Sequence, residues 1–291
     1  MTERSAAIGI IGGSGLYALA GLSEPHEVSV STPYGGPSSA LVVGRIGDRA
    51  VAFLGRHGLG HRLLPGNINY RANIYAMKSL GVQRILSASA VGSMKEHIHP
   101  REVVVPDQFI DRTTRRDATF FGEGIAVHVG LADPVCEETR GVLLAAAREA
   151  GASAHDGGTY LCMEGPAFST RAESRLYRSW GVDVIGMTNL TEAKLAREAE
   201  ICYATLALVT DYDCWHDESD DVSVEGVIEN LSANAHLAGA ALRRAVLALP
   251  ATRSACGCAS ALAHAIITPV EAITSDARAR AGILLDKYLP R

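Results

Sequence analysis

A chain of 291 residues with 47% hydrophobic and 20% charged residues has the make-up of a globular protein with room for a large core. A net charge of −5 with no basic block excludes a nucleic-acid partner, and 5% aromatic residues are too few for a base-stacking platform. The opening "MTERSAAIGIIGGSGL" has only a short apolar run broken by glycines, so neither signal peptide nor membrane span is expected, and the expected location is cytoplasmic. In chain order, apolar β-branched runs predict strands over 6–11, 40–46 and 50–54, and helical spacing predicts a helix over 67–81. Strands follow over 84–90 and 102–105, then a helix over 132–151 that opens on Asp-Pro and stops at glycine. A helix over 169–181, a strand over 182–185, a helix over 188–200, a strand over 201–209 and a long amphipathic helix over 222–249 complete the main run. The tail from position 269 reads as one more helix. Alternating strands and helices predict an α/β fold with a sheet covered on both faces. The early strands lack helices between them, so the sheet should be mixed. No linker splits the chain, so one domain over 1–291 is expected, with 259–291 packing on it.

Six cysteines in so long a chain do not make a disulfide framework. Cys136, Cys162, Cys202 and Cys214 are scattered and read as small core residues. Cys256 and Cys258 form a CxC with only His264 nearby, so no metal is expected.

Sites in α/β sheets form where strands end. After the first strand, Gly13-Ser14-Gly15-Leu16-Tyr17-Ala18 fits the dinucleotide fingerprint GxGxxA. Gly21 and Pro25 cut the following helix short, and no acid stands near position 36, so a dehydrogenase is disfavoured. What remains is a glycine loop with free N–H groups and the Ser14 hydroxyl, suited to an anion; the alternative is a plain tight turn. After the third strand come Arg56 and His57, the arginine shaped to grip an oxyanion with two parallel N–H bonds. Ser89 and Ala90 end the 84–90 strand before a Gly92-Ser93 turn, and Thr188 starts a helix either as a cap or as an anion donor. No one of these is specific. Their recurrence points to a single phosphate held by several loops.

The last strand ends in "TDYDCW". Strand alternation would put Asp211 and Asp213 on one face. Such a pair can bind a divalent metal, divide acid and base roles, or lie solvated in a loop. No further acidic cluster completes a metal site. Close like charges beside Cys214 and Trp215 would raise one pKa, leaving one carboxyl to donate and one to accept. The Hoogsteen edge of adenine needs that arrangement: N7 accepts and the 6-amino group donates.

The segments "GIIGGSGLY", "TPYGGPS", "RHGLGH", "VVPDQFIDRT", "MEGPAFSTRAES", "VIGMTN", "LAREAEICYA" and "TDYDCW" together resemble the 5′-methylthioadenosine phosphorylases, within the wider purine nucleoside phosphorylase family. The resemblance covers about 8–249. It implies a mixed central sheet flanked by helices, with a second smaller sheet forming a distorted barrel. It implies phosphorolysis of methylthioadenosine to adenine and 5-methylthioribose 1-phosphate, serving purine and methionine salvage. No cofactor is implied, and inorganic phosphate is the co-substrate. Phosphate would fall to Ser14, Arg56, His57, Ser89, Ala90 and Thr188. Met187 would lie against the ribose and Phe168 against the purine, with Asp211 and Asp213 at N7 and the 6-amino group. The 6-oxopurine relatives place glutamate at Ser169, asparagine at Asp211 and histidine at Val224; all three departures favour a 6-amino purine and an apolar 5′ group. Gly186 departs the other way, since some methylthioadenosine enzymes carry asparagine there. His128 matches a residue supplied to a neighbouring subunit, which implies a trimer or a dimer of trimers. The rivals are a 6-oxopurine phosphorylase, a hydrolytic nucleosidase and a nonenzymatic purine sensor.

Overall fold

The computed structural model describes residues 5–13, 16, 21–216, 224–253 and 256–289. The strands are β1 (Ile8–Gly12), β2 (Ser23–Val28), β3 (Leu41–Ile46), β4 (Arg49–Gly55), β5 (Arg84–Ser93) and β6 (Val103–Val105). They continue as β7 (Gln108–Arg112), β8 (Ala154–Asp156), β9 (Thr159–Met163), β10 (Val184–Gly186) and β11 (Cys202–Asp211). The α-helices are α1 (Tyr70–Ser79), α2 (Glu137–Glu149), α3 (Arg171–Ser179), α4 (Asn189–Glu198), α5 (Val224–Ala248) and α6 (Ser275–Ala281).

All eleven strands join one mixed sheet, in the order β2-β3-β4-β1-β5-β10-β9-β7, with β11 pairing both β5 and β6, and β8 pairing β6. The smaller layer is therefore continuous with the larger one. β5 is the hinge: its first half lies parallel to β1, it runs parallel to β11 as far as Gly92, and Gly92 and Ser93 also pair with antiparallel β10. This is why the strand runs past Ala90, where a turn was expected.

Alternation along the strands builds a core on each face. Ala204, Leu206 and Leu208 of β11 join Ile8 and Ile10 of β1 against α2 and α5, through Leu143, Ala147, Leu242 and Val246. The opposite core holds Ile11 and Tyr203, with Ile74 and Met77 of α1, Leu195 of α4, and Leu262, Leu284 and Leu285 from the tail.

The predicted strands all form, with end shifts of a few residues. β2 was missed because its sequence SEPHEV is exposed at five of six positions, an edge with no apolar periodicity. β7, β8 and β9 were missed as well. The 132–151 helix begins late, at Glu137, because the Cys136 N–H first bonds to the Tyr203 carbonyl at 2.9 Å and ties the chain to β11. The tail is not one helix. α6 is capped by Thr274 and stops at Gly282, whose φ of 48° breaks the helix; a Cβ there would sit 2.6 Å from the Tyr75 hydroxyl oxygen. No described helix is long and apolar enough to cross a membrane.

Candidate active site

β1, β4, β5 and β11 run parallel through the sheet centre, so their carboxyl ends open on one side. Gly12 is level with Gly55, and Asp211 with Gly92. Ser14 lies outside the described residues, but the loop that carries it starts against the site. A Cβ on Gly13 would sit 2.7 Å from both Arg56 Nη1 and the Ala88 carbonyl, so the backbone passes there only as glycine.

Arg56 is buried, and its guanidinium is not open for a two-pronged grip on an anion. Nε and Nη2 donate to the Glu192 carboxylate at 2.5 and 3.2 Å. Nη2 also donates to Ser87 Oγ at 2.6 Å, and Nη1 to the Ala88 carbonyl at 2.8 Å. The edge expected to hold a ligand is spent on Glu192. The Nη1 edge facing Gly13 retains one N–H without a partner among the described residues. Burial opposes the charge, yet the Glu192 carboxylate keeps Arg56 protonated. Asn189 extends this network, donating to Ser87 Oγ at 3.1 Å and the Tyr203 hydroxyl at 2.8 Å, and accepting from the Ser89 hydroxyl. The Ser89 hydroxyl hydrogen is thus committed to protein.

His57 donates from Nδ1 to the Leu63 carbonyl at 2.8 Å and stacks on His61 with centroids 4.3 Å apart. A carbonyl only accepts, so Nδ1 carries the hydrogen and neutral His57 offers a lone pair at Nε2. Burial, and then the Arg56 charge, lower its pKa to about 4. Thr188 is buried at the N-cap of α4, but its side chain makes no cap hydrogen bond, which removes the simple capping explanation.

Asp211 and Asp213 are adjacent, but not through strand alternation. The ladder slips between Val209 and Asp211, β11 ends at Asp211, and Asp213 enters a 3-10 turn with φ of 50°. That turn returns the Asp213 N–H to Asp211 Oδ1 at 2.8 Å. Gly92 lies under both: a Cβ there would be 2.8 Å from Asp211 Oδ1 and 3.4 Å from Asp213 Cβ. No described cation is bonded to either carboxyl. Burial raises the pKa of Asp211; burial, and also the charge of Asp211, raise that of Asp213. Hydrogen bonds oppose that rise at both carboxyls: Ser174 Oγ donates to Asp213 Oδ2 at 2.6 Å, and Thr210 Oγ1 donates to Asp211 Oδ2 at 2.8 Å and lies 3.2 Å from the Val91 carbonyl. Trp215 closes the turn, donating from Nε1 to the Ser93 carbonyl at 2.7 Å.

These features coincide with a known architecture. A model of the phosphorylase superfamily matches residues 7–247. The chain belongs to the phosphorylase superfamily. It is similar to an S-methyl-5′-thioadenosine phosphorylase of Koribacter versatilis, 57% identical over 97% of each chain. Its fold is similar to a methylthioadenosine phosphorylase from an antarctic soil metagenomic library, with TM-score 0.92 and 49% identity over 97% of this chain and 99% of that one. It is also similar to the adenine complex of Schistosoma mansoni methylthioadenosine phosphorylase, with TM-score 0.82 and 37% identity over 86% and 93% of the two chains.

The other residues expected in this superfamily site are placed differently from one another. Ser169 reaches the turn that carries the carboxyl pair, since its carbonyl accepts from Cys214 Sγ at 3.2 Å. Met187 is half-buried against Gly165, and Phe168 is 46% exposed. His128 is exposed; its N–H bonds to the Ala265 carbonyl and none of its hydrogen bonds reaches the site. Val224 opens α5, but its side chain lies outside the described residues. Gly186 has a local cause: a Cβ would sit 2.0 Å from the Tyr160 hydroxyl oxygen, so asparagine has no room beside this tyrosine.

Sequence reasoning missed four supports. Glu192, Asn189 and Ser174 lie on helices, where they read as ordinary polar helix residues. Arg116 stands in a stretch that sequence reasoning did not single out, and its side chain is 1% exposed. It donates to the Met187 carbonyl at 2.5 Å, the Glu164 carbonyl at 2.8 Å and the Glu164 carboxylate at 3.1 Å, fixing the loops after β9 and β10. The cysteine reading is corrected too. Cys136, Cys202, Cys256 and Cys258 are not scattered but meet in one cluster, because α2, β11 and the chain after α5 converge there.

Proposed function

We propose that this chain is a phosphorylase of S-methyl-5′-thioadenosine, releasing adenine and 5-methylthioribose 1-phosphate for purine and methionine salvage. The observation that carries the reading is the buried Asp211–Asp213 pair, held against each other with both pKa values raised by burial, on the same sheet edge as the fixed Arg56 charge. The names of the similar enzymes support it. Phosphate occupies the side of Gly13, Ser14, Arg56, His57, Ser89, Ala90 and Thr188. Arg56 contributes its Nη1 edge, and Ser89 and Ala90 contribute through backbone. His57 Nε2 accepts from the P–OH of the phosphate. The glycosidic bond stretches toward an oxocarbenium-like state that the anion stabilises. Asp211 transfers its proton to N7 while Asp213 accepts from the 6-amino group. Phe168 covers the purine and Met187 the ribose, with Ser169 and Val224 setting purine and 5′ preference. His128 completes the 5′ pocket of a neighbouring copy, so the assembly is a trimer or a pair of trimers. The whole chain acts as one catalytic domain in the cytoplasm, and the reaction needs no cofactor.

Adenine release from methylthioadenosine, with and without inorganic phosphate, tests this reading. Release that requires phosphate and yields an equal amount of sugar phosphate is expected. Equal release without phosphate, leaving the free sugar, would make the protein a hydrolase.

A further inference from the structure

We propose that Cys136, Cys202, Cys256 and Cys258 form a structural Zn²⁺ site remote from the catalytic edge. Their four Sγ atoms lie within 4.8 Å of one another, and Cys202 and Cys256 are 3.6 Å apart. A zinc tetrahedron with Zn–S near 2.3 Å has S···S edges of about 3.8 Å, so the sulfurs already stand close to that shape. Three of the four are buried and the fourth is half-buried, and no carboxylate or imidazole belongs to the cluster. An all-thiolate set with no open position is a structural zinc site.

The ligands come from three places that the fold must join. Cys136 is the N-cap of α2, Cys202 opens β11, and Cys256 and Cys258 follow α5 around a short 3-10 turn. The helix N-terminus and the Thr139 hydroxyl, 3.4 Å from Cys136 Sγ, both favour a thiolate there. Zinc would replace the thiol hydrogens: Zn²⁺ and four Cys–SH give a Zn(Cys–S⁻)₄ centre and release four protons, with no change of oxidation state. β11 runs from Cys202 to Asp211, so the cluster and the carboxyl pair stand roughly 30 Å apart on one strand. The metal's work is to clasp the chain after α5 onto the sheet.

The test is metal content of the full-length protein purified under reducing conditions, measured by elemental analysis before and after incubation with Zn²⁺ and desalting. About one zinc per chain is expected, falling below about 0.1 in the Cys256→Ser, Cys258→Ser double variant and unchanged in Cys162→Ala. Co²⁺ substituted into the wild-type protein should give the intense visible bands of tetrahedral thiolate coordination. Because wild-type content is read directly, a variant that fails to fold leaves the answer intact. Wild-type protein that takes up no zinc in the reduced state, that holds iron instead, or whose cysteines are found by mass spectrometry joined as disulfides after purification in reductant, would overturn the proposal.

Discussion

The two ends of the candidate site bury ionisable groups in opposite ways. At the end proposed for phosphate, Arg56 meets Glu192 in a closed pair, wrapped by Ser87, Asn189 and Tyr203. At the end proposed for the purine, Asp211 and Asp213 share a turn with no cation bonded to them among the described residues. Pairing fixes a charge at all working pH values, whereas leaving carboxyls unpaired in a dry place lets one keep a proton. In the proposed reaction one end holds an anion still and the other moves a proton. The difference explains why glycine is required at both: Gly13 admits the loop to Arg56, and Gly92 admits both carboxyls.

The contrast can be broken from either side. The largest effect is expected from Asp211→Asn, which removes the proton donor: kcat/KM for methylthioadenosine should fall about 10²- to 10⁴-fold, with little change in the phosphate KM. Glu192→Gln attacks the paired end. Leaving Arg56 buried without its counter-charge should cost about 3–5 kcal/mol in denaturant unfolding, and the phosphate KM should change before the pH profile does. Glu198 is a control for unpaired burial away from the site. Burial first, against hydrogen bonds from Phe120 N and Thr119, raises its pKa from 4.5 to about 7. The folded state therefore holds the extra proton between those values, and the stability it lends falls as pH rises through them. The difference between wild-type and Glu198→Gln stability should drop by about 3 kcal/mol between pH 4.5 and 7 and flatten above. The smallest effect is expected at the boundary. Gly186→Ala drives a methyl into Tyr160, which should cost about 1–3 kcal/mol in thermal or chemical unfolding without changing the preference for 6-amino over 6-oxo purines. A changed preference would restore Gly186 as a specificity residue.

Much of this was readable in the chain. The runs around β1, β4 and β11 are apolar enough to name strands of a mixed sheet covered on both faces, and so to say that a site opens where strands end. Arg56 and the carboxyl pair were singled out by looking past those ends, and Thr188 by looking past the 182–185 strand. Partnership was not readable. Glu192 lies 136 residues from Arg56, and nothing in "TNLTEAKLARE" marks it as the group that occupies the guanidinium's paired edge. Asp213 shows the limit of periodicity. Two-residue spacing placed it beside Asp211 for the wrong reason, since a left-handed residue and a ladder slip bring the carboxyls together. The cysteines failed likewise, because their spacing along the chain hides a meeting that only the sheet creates.

The central claim, that the unpaired end supplies a proton to the leaving group, is tested most directly by changing what leaves. Wild-type and Asp211→Asn enzyme are compared on methylthioadenosine and on a 5-methylthioriboside whose nitrophenolate needs no proton to depart. A loss of at least about 10²-fold on methylthioadenosine with less than about 10-fold on the nitrophenyl substrate is the predicted result. Equal losses on both substrates would contradict it, and would make Asp211 a binding group rather than the acid.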